Sequence, residues 1–104
     1  MIPEVVNVKK CKDFGTRPGD VYIGRRNDRY GFKESPWENP FGITQESQRD
    51  ISIALYKIYI EGLLASGRLS LESLKDARRL GCWCKPKNCH GDVIVELLEK
   101  DVRP

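Results

Sequence analysis

The segment Gly81-Cys-Trp-Cys-Lys-Pro-Lys-Asn-Cys-His-Gly-Asp92 concentrates the residues of this chain that can do chemistry. It holds three of the four cysteines and the single histidine. Three chemistries compete for it. In the first, Cys89 or Cys84 is a nucleophile with His90 as its base or acid, because a thiolate attacks well and an imidazole exchanges protons near neutral pH. The Cys-x5-Arg loop of cysteine phosphatases is missing, so the reaction type stays open. In the second, Cys82, Cys84, Cys89 and His90 hold zinc in a module that binds a protein or nucleic acid. Cys-x-Cys spacing and an adjacent Cys-His pair are poor tetrahedral ligand geometry, so no metal ligand is assigned. In the third, Cys82 and Cys84 fill the core as small hydrophobes while His90 and Asp92 cap a helix.

Ser35-Pro-Trp-Glu-Asn-Pro-Phe41 is the other unusual stretch. Trp37 and Phe41 are expected either to form a stacking wall for a flat ligand or to plug the core beneath a long loop. Asn39, ahead of a proline, is held extended. Together with Arg25 these residues outline a binding site. Its roles are phosphate pairing by Arg25, stacking by Trp37 and Phe41, orientation by Asn39, polar contact by Cys84 and Asp92, anion contact by the Cys89–Gly91 backbone and proton transfer by His90. The expected ligand is a nucleotide or another small phosphate-bearing molecule. No cofactor can be named.

Positioning such residues requires a scaffold. Val5-Val-Asn-Val8 and Val21-Tyr-Ile-Gly24 read as short strands, and Leu80–Cys84 as an apolar strand buried on both faces. Strand alternation would turn Cys82 and Cys84 to one side. A helix is expected from Thr44 to Ser66 with Ile51, Leu55, Ile58, Tyr59 and Leu63 on its inner face. A second helix after Ser70 would turn Leu71, Leu74 and Ala77 inward, and a third spans Gly91 to Lys100. The order β-β-α-α-β-α predicts one α/β domain over 1–104 with a small, at least partly parallel sheet. In such sheets ligands bind beyond the strands' carboxyl ends, where the next helix offers free N–H groups. Cys84 to Asp92 occupies that position.

Composition bounds the rest. At 104 residues, 39% hydrophobic and 32% charged, the chain suits one globular domain with a modest core. No apolar run reaches the roughly 20 residues of a membrane span, and the first residues lack a basic-then-apolar leader, so a cytoplasmic protein without membrane contact is expected. Net charge is +3. Residues 1–33 carry eight Lys/Arg against four Asp/Glu, and the remainder carries ten against eleven. That local excess supports nucleic-acid contact only weakly.

The motifs Val6-Asn-Val8, Val21-Tyr-Ile-Gly-Arg25, Ser35-Pro-Trp-x-Asn-Pro-Phe41, Arg49 ahead of a tyrosine-bearing helix, and Gly81-Cys-Trp-Cys-x-Pro-x-x-Cys-His-Gly-Asp92 together resemble an uncharacterised domain family of phage and bacterial proteins. The resemblance spans nearly the whole chain, and Cys11 lies outside its pattern. It implies no activity. A Cys-His-Arg ending in another uncharacterised α/β family is similar to Cys89-His90-Gly91, which implies a shared strand-to-helix site.

Overall fold

The computed structural model describes residues 2–101. Three strands, β1 (Glu4–Asn7), β2 (Asp20–Tyr22) and β3 (Arg79–Cys82), form one parallel sheet in the order β1-β3-β2. The latest strand in sequence is central, with Val5 and Val21 both registered against Leu80. Leu80 and Cys82 are fully buried, as an apolar strand flanked on both sides requires. Helix α1 (Arg49–Ala65) and helix α2 (His90–Asp101) pack against one another, and α2 also packs on β1. One buried cluster, including Ile23, Tyr56, Ile60, Leu80 and Ile94, ties sheet to helices.

Two glycines set the close approaches. A side chain at Gly91 would run into Ile23 and Val5, so its absence lets α2 begin directly on the sheet. A side chain at Gly81 would collide with Phe14 and Val8, which cover the other face of β3. On that side Phe32 stacks on Tyr22 with ring centres 4.2 Å apart. Loops therefore close the face that carries no helix.

Three expectations are corrected. The segment after Ser70 is a single 3-10 turn, Leu71–Leu74, not a helix. Ser70 does cap it, accepting from the Glu72 N–H at 3.2 Å. Its i→i+3 bonds, Lys75 to Glu72 and Ala77 to Leu74, tighten the chain so that it can enter β3 at Arg79. Helix α1 starts at Arg49, because Gln45 and Gln48 close a capping box over the 3-10 turn Glu46–Gln48 in front of it. Its inward face is Ser52, Tyr56 and Ile60, whereas Ile51, Leu55, Ile58 and Tyr59 are exposed. Two polar groups decide that rotation. The Tyr56 hydroxyl donates to the Trp37 carbonyl at 2.7 Å, and the Ser52 hydroxyl donates to the Phe41 carbonyl while accepting from Asn39.

Candidate functional site

Because all three strands run parallel, the segments that follow them open on one edge of the sheet. They meet the first turn of α1 and the start of α2 around a cavity of about 390 Å³. Arg25 and Arg26 enter from the β2 exit, Arg49 from α1, and Trp83, Cys84 and Cys89 from the β3 exit. Among the described residues that line it, none is Asp or Glu. Phe41, Ile43 and Ile53 add an apolar wall.

The residues expected to act here divide into two groups. Arg25, Asn39, Phe41, Cys84, Cys89 and His90 line the cavity. Trp37, Gly91 and Asp92 do not, and their expected roles are corrected. Trp37 is 2% exposed and belongs to the core, so the plug describes it and the stacking wall does not. Gly91 serves packing beneath Ile23 and Val5. Asp92 accepts the Cys89 backbone N–H at 3.1 Å and pairs with Lys85 at 2.6 Å, which caps α2 and anchors the turn. Four lining residues were not singled out for the site from sequence: Arg26, Ser52, Trp83 and Arg49. Trp83 supplies the aromatic surface that Trp37 does not, with its indole N–H fixed on the Tyr22 hydroxyl at 2.8 Å. A pocket-lining aromatic one residue past a strand was the available signal for Trp83, and a charge in a first helical turn for Arg49.

Asn39 works as a buckle. Its side chain donates to Ser52 and accepts the Phe41 N–H, while its carbonyl takes two hydrogen bonds from Arg25 at 3.0 and 3.2 Å. The guanidinium of Arg25 is thereby aimed along the cavity wall. Arg49 is held just as firmly, by Glu46 through two nitrogens and by the Asn88 carbonyl at 3.0 Å.

His90 is buried, and its Nε2 lies 2.8 Å from the Ile23 carbonyl. A carbonyl only accepts, so Nε2 carries the proton and the bare Nδ1 faces the Cys89 sulfur at 3.6 Å. Burial lowers the histidine pKa, so the ring is neutral at pH 7. The Cys89 sulfur also accepts the Gly91 N–H at 3.4 Å. Hydrogen bonding to Cys82 and Cys84, reinforced by burial, keeps the Cys89 proton on its sulfur. Cys84 differs. The thiol of Cys89 and the guanidinium of Arg49 together draw its pKa down to about 6 against the cost of partial burial. Among the described residues, no group of three or more His, Cys, Asp or Glu side chains is placed to hold a metal ion.

The family model described as a domain of unknown function, DUF4326, matches residues 6–100. The chain belongs to this family. It is similar to a protein of Acanthamoeba polyphaga mimivirus named uncharacterized protein R718, with 35% identity covering 93% of this chain and 80% of the relative. It is also similar to an uncharacterized 12.4 kDa protein from the nrdA-td intergenic region of Enterobacteria phage T4, with 36% identity covering 62% of this chain and 60% of that protein. No solved structure matches. DUF4326 relatives thus include viral proteins, and the DUF4326 match takes in the whole cavity. No described helix is long and apolar enough to cross a membrane.

Proposed function

We propose that this DUF4326 domain binds a small phosphate-bearing molecule, with a nucleotide as the type case, in the cavity at the carboxyl edge of its sheet. One observation carries this reading: three arginines line the cavity and no carboxylate does. Guanidinium groups suit phosphate because their planar fork donates two parallel hydrogen bonds. Arg25 and Arg49 are fixed before any ligand arrives, which lowers the ordering cost of binding. Arg26, paired with Asp28 and well exposed, contributes less. Trp83 and Phe41 offer ring faces to a base or another flat group.

The test is thermal unfolding with nucleotides, sugar phosphates and pyrophosphate at matched ionic strength. A ligand at 100 times its Kd adds about 2.7 kcal/mol to the folded state. In a domain this small that raises the midpoint by roughly 10 °C. Arg25→Ala and Arg49→Ala should abolish the rise. If every phosphate compound behaves like sodium chloride, or if the rise survives both substitutions, the reading fails.

A further inference from the structure

Three cysteines meet in this cavity, and their surroundings are unequal. Cys82 and Cys89 are buried, whereas Cys84, past the end of β3, is half-buried. From the start of α2, Cys89 offers its proton to Cys84, and from the first turn of α1 the Arg49 guanidinium faces the same sulfur. Glu46 is the carboxylate that opposes a negative charge there, and Arg49 engages both of its oxygens. Cys82 is also drawn down, by Cys89 and by the backbone N–H groups of Lys85 and Cys84. Full burial and the adjacent Cys84 charge count against it. His90 is neutral and faces Cys89 rather than Cys84. The group most exposed to a cavity occupant is therefore also the one whose anion is best supported.

We propose that Cys84 is the nucleophile of this cavity, a thiolate paired with Arg49 that attacks a soft electrophilic carbon carried by an anionic small molecule. The substrate class rests on the anion-binding reading above; the thiolate does not. In the step, a bond forms between Cys84 Sγ and that carbon as the carbon's bond to its leaving group breaks. The electron pair of the broken bond departs with the leaving group. No base is needed, because Cys84 has already given up its proton. Cys89 is a positioning residue whose thiol stays protonated and hydrogen-bonded to the thiolate.

The experiment is peptide-mapped alkylation of the folded protein by iodoacetamide and by iodoacetate between pH 5 and 9.5, with Cys84→Ser as the mapping control. Cys84 should react first, with a midpoint near pH 6. At pH 6.5 it should outpace Cys11 about tenfold, since the gain in thiolate outweighs the loss of intrinsic nucleophilicity at lower pKa. Arg49→Ala should move the midpoint upward and slow the reaction several-fold at pH 6.5, and Arg49→Lys should restore part of the rate. Modification of Cys84 no faster than Cys11, or a profile unmoved by Arg49→Ala, overturns the proposal. The two reagents separate it from the binding reading. An anion site raises the iodoacetate-to-iodoacetamide rate ratio above that of the unfolded chain, and pyrophosphate slows both reagents. A low midpoint without those two effects keeps the nucleophile and removes the anionic substrate.

Discussion

An arginine faces a cysteine at each end of β3, and the two pairs have opposite characters. At the amino end, Arg79 binds Asp20 through two nitrogens at 2.7 and 2.8 Å and Asp13 at 3.1 Å. It also donates to Cys11 at 3.0 Å. With its charge answered by carboxylates, Arg79 does little for the thiol, which is desolvated, donates to Asp13 and has a raised pKa. At the carboxyl end, Arg49 meets one carboxylate from outside the cavity lining, and Cys84 is drawn toward the thiolate. The same two residue types therefore make a clamp where acids surround them and a reactive centre where acids are absent. What decides between them is the third partner.

Removing the arginines tests this contrast most strongly. Arg79→Ala leaves the Asp20 carboxylate, 2% exposed, without its partner, and should lower the unfolding midpoint by roughly 10 °C or more. Arg49→Ala should change it by less than about 3 °C, because its ion pair with Glu46 is partly exposed. Equal losses would erase the distinction between clamp and site.

Gly91→Ala asks whether the carboxyl edge depends on α2 starting hard against the sheet. The added methyl meets Ile23 and Val5 at 2.9 Å and should cost about 1–3 kcal/mol. Tyr56→Phe removes the hydroxyl that holds the Trp37 carbonyl and should cost about 1–2 kcal/mol while leaving the cavity residues in place. Calorimetry reads both costs.

Titration sharpens the comparison further. Asp20 is held well below the usual carboxylate range by Arg79 and by the N–H groups of Gly15 and Arg17. Its stabilisation is complete above the unfolded carboxylate pKa, near 4, and is lost as pH falls below it. The Cys84 pKa is likewise depressed, so its contribution is complete above the unfolded thiol pKa, near 9, and fades as pH falls to about 6. Denaturant unfolding of the native chain should therefore gain stability between pH 6 and 9, and Cys84→Ser should flatten that rise. A rise that persists in the variant places its origin elsewhere.

The smallest effect belongs to the exposed side of α1. Ile58→Ser, at a position 70% exposed, should change stability by no more than about 0.5 kcal/mol, against the inward role that the helical spacing predicts.

The rotation of α1 shows why parts of the fold were legible in sequence and parts were not. Helix and strand types follow from local pattern, so β1, β2, β3, α1 and α2 are all recognisable from the chain. The facing of α1 does not follow, because Ile51, Leu55, Ile58 and Tyr59 make a better apolar stripe than Ser52, Tyr56 and Ile60. Ser52 and Tyr56 turn inward for partners in the 35–41 loop, and those partners are fixed only by the tertiary fold. The same limit applies to the cavity. Parallel strands place the exits of β2 and β3 together, which made Arg25, Cys84, Cys89 and His90 readable. Choosing between Trp37 and Trp83 required knowing which aromatic the core would take.

Strand order also sets when the molecule can exist. Neither edge strand touches the other, and both are bridged by β3, which begins only at Arg79. During synthesis β1 and β2 leave the ribosome early and wait unpaired for most of the chain. Loop-closure entropy makes such distant pairings slow to form, and unpaired strand edges are exposed to association in the interval. A chain halted before residue 79 has no sheet at all, so folding is confined to the final stage of translation.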